Sequence, residues 1–516
     1  MAASDANAED DQAEVLDALA KTIAGSTALP VKRIDTQGAV VFLAGDAAYK
    51  VRRAIRLPFL DYSTLERRRA ASEAEVALNR ESAPGIYLRA VAITREDGSL
   101  AIGGPGEVVE WATHMRRFDE DATLDKLAER GDLSANLIAR LAHAIHAMHE
   151  RAPKRDGEAA IHSLETYLDQ NEVAFAARPE IFDSARAADL NRLSREALAA
   201  RRPLLLSRGE QGYVRRCHGD LHLRNIVEID GEPVPFDAIE FDEAIATGDV
   251  LYDLAFAIMD LWERDLRSSA NRLLNGYLAA GDEENYSGLA ALPFFLSLRA
   301  AIRAKVEAGN LEHLTGEARG KARESAERYF RFALAFLEPA AARLLAIGGL
   351  SGTGKSALAA CLAPEFGRAP GAVWLRSDVE RKHLFDVGET TRLPDSAYSE
   401  AAGRETYARL TRKAARALRA GQSVIVDAVQ SRGHERQTIS SLAGELGAAF
   451  AGLWLEAPRD ERRARVERRS GDASDADARV VAAQRAEPLA EAGWVALDAS
   501  GDLSSTLGAA RKQLGG

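Results

Sequence analysis

The sequence predicts an α+β region followed by an α/β domain with a parallel sheet, and three observations support this prediction. Short apolar segments separated by turn signals occupy residues 30–120, and amphipathic helical patterns dominate residues 122–340. Beyond residue 341, apolar strand-like segments alternate with helical segments, which is typical of a parallel sheet. The length of 516 residues is more than one compact core holds, so we expect several domains.

The α+β region begins with an acidic segment, residues 1–20, that leads into a helix. "GAVVFLAGDAAYKVRR", residues 38–53, has two apolar stretches around "AGDA", which predicts a hairpin. "YSTLERRRAASEAEVALNRE", residues 62–81, has helical periodicity. Further strands are predicted in "LRAVAITRED", "SLAIGG" and "EVVEWATHMRRF". We therefore expect a small mixed sheet with one helix over residues 21–120 and a helical region over residues 121–340.

Composition limits the classes of function. The two cysteines, Cys217 and Cys361, cannot form a disulfide framework and are not spaced as a zinc site. The net charge of −11 makes a broad nucleic-acid surface unfavourable. The sequence contains no apolar run near the roughly 18 residues that cross a bilayer, and its first 20 residues have acids but no Lys or Arg. We expect a cytoplasmic protein without a membrane partner.

A phosphate-binding motif opens the α/β domain, residues 341–516. "GLSGTGKS", residues 349–356, matches G-x-x-x-x-G-K-[ST] between a predicted strand and a predicted helix. Glycines allow backbone amides to surround phosphate oxygens, the lysine reaches the terminal phosphates, and the serine ligates Mg²⁺. The predicted nucleotide-binding residues are Gly349, Gly352, Thr353, Gly354, Lys355 and Ser356, of which Ser356 is also a metal ligand.

Two carboxylates at predicted strand ends indicate a kinase. "WLRSDVERK" places Asp378 where it can accept a proton from a substrate hydroxyl, with Arg381 one helical turn later. "SVIVDAV" places Asp427 where it can hold Mg²⁺ through water. The arginine-rich residues 459–484 are either a lid that clamps phosphates, with Arg469 as the candidate, or a solvated helix with ion pairs.

With these motifs, residues 343–512 resemble small P-loop kinases of the polynucleotide-kinase, zeta-toxin and gluconate-kinase type. The resemblance implies a P-loop NTPase fold, Mg²⁺, and ATP as the phosphate donor with GTP as the alternative. It leaves the acceptor open.

A second kinase-like motif lies upstream. "HGDLHLRN", residues 218–225, has an aspartate and an asparagine five residues apart, and a hairpin that turns at Asp230-Gly231 follows it. A carboxylate can deprotonate a hydroxyl, and an amide oxygen together with a further carboxylate can hold Mg²⁺. The motif resembles the catalytic loop of the aminoglycoside phosphotransferase and choline-kinase group, relatives of protein kinases, over residues 30–335. The resemblance implies a bilobal kinase-like fold.

The resemblance assigns roles by position. Asp220 would be the catalytic base and Asn225 a metal ligand. Asp237 would be the main metal aspartate, although Asp242 competes because the chain has "FDAIEFDEA" where the family has an aspartate, an aromatic and an acid. Glu240 would assist.

Further roles fall on the upstream sheet and on one helix. Lys50 would contact nucleotide phosphates, with Glu75 as its helix partner and Glu73 as the alternative. Asp253 would brace the catalytic loop, and residues 114–116 would lie beside the adenine.

The sequence as a whole predicts a phosphotransferase with two kinase-type domains, which use Mg²⁺ and ATP, with GTP as the alternative nucleotide. The first would phosphorylate a hydroxyl of a small polar molecule, namely a sugar, aminosugar or amino-alcohol. The second would be a P-loop small-molecule kinase. Two alternatives for the second domain remain open at this point, an ATPase that acts as a regulatory switch and a kinase of nucleic-acid 5′ ends.

Overall fold

The computed structural model describes residues 2–27, 30–57, 60–468 and 473–515. The chain divides into two compact units. Unit 1 comprises residues 1–166 and 205–260, and unit 2 comprises residues 167–204 and 261–516. No helix within the described ranges is long and apolar enough to cross a membrane.

The elements up to residue 263 belong to unit 1, except for parts of α5, α6 and α8. The helices are α1 (Ala2–Thr27), α2 (Leu65–Ser82), α3 (Leu124–Arg130), α4 (Ala135–Arg151), α5 (Gly157–Ala176), α6 (Ser184–Gln211), α7 (Glu243–Ala246) and α8 (Val250–Glu263). The strands are β1 (Lys32–Asp35), β2 (Ala39–Ala44), β3 (Ala47–Arg52), β4 (Arg56–Leu57), β5 (Leu60–Asp61), β6 (Tyr87–Glu96), β7 (Ser99–Ile102), β8 (Glu107–Arg116), β9 (Val214–Arg216), β10 (Ile226–Ile229), β11 (Glu232–Pro235) and β12 (Thr247–Asp249).

An antiparallel sheet of six strands, in the order β1-β2-β3-β8-β6-β7, forms the first part of unit 1. The predicted hairpin is confirmed as β2 and β3, and the register places Lys50 opposite Thr113 of β8. Helix α1 already begins at Ala2 and buries Leu16, Leu19 and Ile23 against this sheet. Part of the acidic N-terminal segment therefore contributes to the core, because its apolar residues share one helix face.

The second predicted hairpin, which follows the catalytic-loop motif, is also confirmed. Strands β10 and β11 pair antiparallel, from Ile226 opposite Pro235 to Ile229 opposite Glu232. Asp230 and Gly231 in the turn between them have φ of 52° and 82°, as the tight two-residue turn requires.

Unit 2 contains the parallel sheet. Its further helices are α9 (Arg267–Ala280), α10 (Glu284–Gly288), α11 (Leu292–Asn310), α12 (Gly316–Phe336), α13 (Lys355–Leu362), α14 (Ser377–Leu384), α15 (Glu400–Arg419), α16 (Gly433–Glu445), α17 (Arg459–Arg468), α18 (Ala478–Ala483) and α19 (Leu503–Leu514). Its strands are β13 (Arg343–Gly348), β14 (Val373–Arg376), β15 (Val424–Asp427), β16 (Ala449–Glu456) and β17 (Trp494–Asp498).

The five strands that the structure describes in the sheet of unit 2 are all parallel, in the order β14-β15-β13-β16-β17. Central strands β13 and β15 bury Leu345, Ile347 and Ile425 together with Leu358 of α13. The predicted α/β domain with a parallel sheet is therefore confirmed. Carboxyl ends of parallel strands meet at one edge of the sheet, which brings the ends of β13, β14 and β15 together.

The outer edge of β14 is covered by helix α9. Asn271 Nδ2 donates to the carbonyl of Ala372 at 2.9 Å, and Asn275 Oδ1 accepts from the backbone amide of Trp374 at 2.7 Å. These amide side chains satisfy backbone groups that an edge strand otherwise leaves unpaired. Helix α9 ends at Ala280 and the first strand of the P-loop sheet begins at Arg343, yet α9 forms part of the same compact unit.

Candidate active sites

The first candidate site is centred on Lys50 of β3. Lys50 Nζ lies 2.7 Å from Glu75 Oε1 of α2 and 2.7 Å from Asp237 Oδ1. Glu75 is fully buried, and Thr113 Oγ1 donates to its second oxygen at 2.6 Å. Glu75 is therefore the acidic residue of α2 that contacts Lys50. The alternative, Glu73, is half exposed and pairs with Arg69.

The charges around Lys50 keep it protonated. Burial by itself lowers the pKa of Lys50, but Asp237 and Glu75 together outweigh it, so the pKa of Lys50 lies above its ordinary value. Burial by itself raises the pKa of Asp237, but the charge and hydrogen bond of Lys50 outweigh this effect, so the pKa of Asp237 lies below its ordinary value. An ammonium group and a carboxylate are thus held side by side, which is the charge pattern that binds a phosphate together with a cation.

The catalytic-loop residues lie in unit 1 as well. Asn225 Nδ2 donates to the carbonyl of Asp220 at 3.0 Å and to its carboxylate at 3.1 Å. The backbone amides of His218 and Gly219 donate to the carboxylate of Asp253 at 3.3 and 2.9 Å. Asp253 of α8 therefore braces the loop, and the Asp220 side chain remains 38% exposed, which leaves it accessible to a substrate.

The two aspartates that compete for the metal differ in their contacts. Asp237 has φ of 61°, its backbone amide donates to Tyr87 Oη at 3.0 Å, and its carboxylate lies close enough to Asp220 for the two charges to repel. Asp242 caps α7, where its carboxylate accepts from the amides of Ala244 and Ile245. Helix capping occupies Asp242, so Asp237 is the aspartate beside Lys50.

The oxygen atoms of this site suit Mg²⁺. Asn225 uses its amide nitrogen for Asp220, so its amide oxygen is the part that remains for a cation. Carboxylate and amide oxygens are the ligands that hard divalent cations prefer. Asn225 and Asp237 would therefore hold Mg²⁺.

The sequence did not single out a second buried cation in this site. Arg52 Nη2 lies 2.9 Å from Glu75 Oε2 and also contacts Glu240, whose other partner is Tyr62 Oη at 3.1 Å. Burial raises the pKa of Glu240 in spite of Arg52. Side chains of a strand alternate between its two faces, so Lys50 and Arg52, two residues apart, share one face of β3. This alternation could have placed Arg52 beside Lys50 from the sequence.

The second candidate site begins with the glycine-rich loop of unit 2. Gly349, Gly352 and Gly354 have φ of 139°, 86° and 94°, which only glycine adopts readily. Gly352 also packs directly against the backbone of Arg462 without space for a Cβ atom. Thr353, in contrast, is buried and donates its hydroxyl to the carbonyl of Leu350 at 2.9 Å, so its side chain stabilises the loop.

A cleft of about 1300 Å³ adjoins this loop. The predicted site residues that line it are Gly352, Gly354, Lys355, Ser356, Asp378 and Asp427. Asp427 is 4% exposed and hydrogen-bonds Ser356, and Arg376 Nε lies 3.9 Å from its carboxylate. Burial raises the pKa of Asp427, although Lys355 and Arg376 oppose this effect. Ser356 and Asp427 together supply hydroxyl and carboxylate oxygens that fit Mg²⁺.

The other predicted carboxylate reaches the cleft from a helix. Strand β14 ends at Arg376, and Asp378 lies in the first turn of α14. Arg381, one turn later, donates to the carbonyl of Ala397 at 2.8 Å and places its guanidinium 5.1 Å from the ring of Tyr398. The end of β14 and the start of α14 thus bring a carboxylate and a guanidinium to the same cleft as the phosphate loop.

The arginine-rich segment borders this cleft. Arg469 lies outside the described residues, whereas Arg465 and Arg479 of the same segment line the cleft. Gln484 was not predicted from the sequence, and it binds the phosphate loop twice: its Oε1 accepts from the amide of Ser351 at 2.8 Å, and its Nε2 donates to the Ser351 hydroxyl at 2.9 Å. The segment therefore contacts the loop that would hold the nucleotide.

Asp475 links this segment to the opposite wall of the cleft. Its carboxylate accepts from Lys382 Nζ at 2.7 Å, from Tyr398 Oη at 2.6 Å and from the amide of Leu393 at 3.0 Å. Burial acts to raise the pKa of Asp475, but Lys382 and the two other donors lower it overall. A carboxylate with three donors holds the two walls together.

Two family models match the chain, and the first spans residues of both compact units. A family model described as "Phosphotransferase enzyme family" matches residues 3–292, and a model described as "AAA domain" matches residues 344–488. An uncharacterized protein of Mycobacterium tuberculosis strain H37Rv is 29% identical over 471 residues, which cover 89% of this chain and 90% of that protein.

Solved structures of kinases are similar to parts of the chain. A choline/ethanolamine kinase family protein from Mesorhizobium loti is 14% identical and covers 63% of this chain and 95% of its own, with a TM-score of 0.39. A gluconokinase from Sinorhizobium meliloti 1021 is 19% identical and covers 33% of this chain and 91% of its own, with a TM-score of 0.25. Since the first family model spans more than half of the 516 residues, the chain belongs to the phosphotransferase enzyme family, and a P-loop kinase domain follows its phosphotransferase domain.

Proposed function

We propose that this protein is an ATP- and Mg²⁺-dependent phosphotransferase with two kinase-type sites. The observation that carries the proposal is the position of Lys50 between Glu75 and Asp237 in the unit that also holds Asp220 and Asn225. The first site would lie in a domain of residues 21–340 with a lobe boundary near 120, and the second in a domain of residues 341–516.

In the first site, Lys50 would bind phosphate oxygens of the nucleotide, and Glu75 orients its ammonium group. Mg²⁺ neutralises the charge on the β- and γ-phosphates when it is bound, and Asn225 and Asp237 would hold it. Asp220 would accept the proton of the acceptor hydroxyl as that oxygen attacks the γ-phosphorus. Catalysis then consists mainly of positioning and of charge stabilisation.

The acceptor of the first site is proposed to be a small polar molecule with a hydroxyl group, namely a sugar, an aminosugar or an amino-alcohol. Membership in the phosphotransferase enzyme family and the resemblance of "HGDLHLRN" to the aminoglycoside phosphotransferase and choline-kinase group support this class.

In the second site, the amides of the glycine-rich loop and Lys355 would bind the phosphates of ATP. Ser356 and Asp427 would hold Mg²⁺, and Asp378 would accept the proton of a second small-molecule acceptor. A cleft of about 1300 Å³ supports this proposal, because it exceeds the 300–1,000 Å³ typical of pockets that hold one small ligand.

The experiment is a screen for ATP-dependent phosphorylation of a panel of sugars, aminosugars, amino-alcohols, sugar acids and nucleosides. Wild type, Asp220→Asn and Lys355→Ala are compared. We expect each variant to lose one class of product by at least about a hundredfold, because each loses a group that acts in the transition state. Unchanged products in both variants would contradict both assignments. ATP hydrolysis that requires Lys355 but yields no phosphorylated compound would instead favour an ATPase role of the second domain.

A further inference from the structure

Gln430 in the wall of the P-loop cleft has a buried amide without partners. It follows β15 by three residues and lines the same cleft as Asp378 and Ser356. Only 1% of Gln430 is exposed. Neither its Nε2 nor its Oε1 has a hydrogen-bond partner among the residues that the structure describes. A glutamine amide offers two donors and one acceptor oxygen, and a buried group that lacks partners is unfavourable.

The backbone of Gln430 is held in an unfavourable conformation. Its φ of 50° lies in the left-handed region, where a residue with a Cβ atom is strained. The backbone amide donates to Tyr407 Oη at 2.9 Å, and the carbonyl accepts from Arg436 Nη1 at 3.1 Å. Arg436 is fully buried, so the surrounding structure determines this conformation. Backbone strain and an unpaired amide at one residue both indicate a functional constraint rather than a contribution to stability.

Tyr407 relates Gln430 to the reacting groups. The pKa of Tyr407 is raised by burial first and by Glu435 second, and the charges of Arg381 and Asp378 also act on its hydroxyl. Tyr407, Asp378 and Gln430 all line this cleft. Val429, the residue before Gln430, accepts from the amide of Gly349 at 3.1 Å, so Gln430 also lies near the start of the glycine-rich loop. The amides of that loop and Lys355 would bind the phosphates of ATP, so we assign the Gln430 amide to the acceptor, and the KM for ATP in Gln430→Met tests this assignment.

We propose that Gln430 binds the acceptor of the P-loop site through two neighbouring hydroxyl groups, and this inference rests on the proposed kinase function of that site. The amide oxygen accepts from one hydroxyl while the amide nitrogen donates to the next, so the fitting class is a sugar or other polyol with a vicinal diol. Because the amide is buried, the acceptor reaches it only when residues of the cleft wall move slightly apart. The two new hydrogen bonds offset the free energy that this movement costs.

The transfer itself is balanced by groups already described. The acceptor oxygen forms a bond to the γ-phosphorus as the bond from that phosphorus to the bridging oxygen of ATP breaks. The acceptor proton moves to the carboxylate of Asp378, and ADP leaves. Gln430 contacts the substrate but exchanges no proton.

The first test measures stability without any acceptor. Gln430→Met keeps the length of the side chain and removes the unpaired amide, so we expect the thermal unfolding transition of unit 2 to rise by about 2–4 °C. Gln422→Met is the matched control: Gln422 is equally buried, but its amide bonds Gly371 and Arg368, so its replacement lowers the transition. A lower transition for Gln430→Met would overturn the proposal, because the amide is then already satisfied in the protein without acceptor.

The second test measures phosphorylation of matched compounds, glycerol against 1,3-propanediol and D-ribose against 2-deoxy-D-ribose, within the wider panel. We expect the Lys355-dependent activity of the wild type to favour compounds with a vicinal diol. Gln430→Met is expected to raise the KM for those compounds at least tenfold and to leave the KM for ATP unchanged.

The outcomes distinguish this inference from the proposed function. Lys355-dependent phosphorylation of compounds that lack a vicinal diol, with equal kinetics in Gln430→Met, would overturn the inference and leave the P-loop kinase function standing. Absence of any Lys355-dependent phosphorylation across the panel would overturn the proposed function of this site, and the inference with it.

Discussion

Glu75→Gln tests the arrangement of charges in the first site. The substitution keeps the shape of the side chain and one acceptor oxygen, but it removes the charge opposite Lys50 and Arg52. Glu75 is fully buried, and loss of one partner from a buried ion pair costs about 3–5 kcal/mol. Since Asp237 and Glu240 remain beside the two cations, we expect the lower end, about 3 kcal/mol.

The loss is measurable as a shift in urea unfolding. With a dependence of about 3 kcal/mol per M, a loss of about 3 kcal/mol lowers the midpoint by about 1 M. Pulsed hydrogen exchange of peptides from β3 and α2 follows the unfolding of unit 1 separately from that of unit 2. In a Lys355→Ala background, which removes the contribution of the second site, we also expect the affinity for Mg²⁺ and the non-hydrolysable ATP analogue AMP-PNP to fall at least tenfold, because Lys50 loses the group that orients it.

Glu73→Gln is the matched control on the same helix. Glu73 is half exposed and pairs with the exposed Arg69, so we expect no measurable change in the midpoint or in the affinity. Equal effects of the two substitutions would refute the assignment of Glu75. An unchanged midpoint and affinity in Glu75→Gln would refute the reasoning from burial and charge.

Three further predictions concern unit 2. Gly352→Ala is expected to weaken nucleotide binding at the P-loop at least tenfold in a titration with AMP-PNP, because alanine is strained at φ of 86° and its Cβ atom would meet the backbone of Arg462; unchanged affinity would contradict this. Asn275→Leu is expected to lower the free energy of unfolding by about 3 kcal/mol and to accelerate hydrogen exchange in β14, because it leaves the amide of Trp374 without its partner. Faster exchange in α9 alone would argue against a role for this contact. Asp475→Asn is expected to cost about 2 kcal/mol at pH 7 in urea unfolding. Folding lowers the pKa of Asp475, so its contribution to the free energy of unfolding is complete above the ordinary aspartate pKa and is lost as the pH falls through the lowered value. We therefore expect the stabilities of wild type and variant to converge in acid. A difference in stability that stays constant with pH would contradict the ion pair.

The local motifs were predictable from the sequence because neighbouring residues determine them. The left-handed glycines of the phosphate loop follow each other within six residues, and the aspartate and asparagine of the catalytic loop lie five residues apart. The two hairpins and the alternation of strands and helices after residue 341 also follow from short-range patterns. In each case the chemistry and the backbone conformation are encoded in one contiguous segment.

Choices between similar residues required the tertiary structure. Glu73 and Glu75 are two positions apart on one helix and point to different sides, and only the packing of α2 on the sheet decides which of them is buried. Asp237 and Asp242 are both carboxylates after the same hairpin, and the position of α7 decides that Asp242 serves as its cap.

The sequence by itself therefore determined the two kinds of phosphate-handling loop, the order of the domains and the class of reaction. The tertiary structure alone decided which side chains surround those loops, such as Arg52 beside Glu75, Asn275 against the edge of β14, and Gln430 in the cleft wall. The physical reason is distance along the chain. Backbone conformation depends on adjacent residues, whereas the pairing of a buried charge or amide depends on which distant surfaces pack together and exclude water.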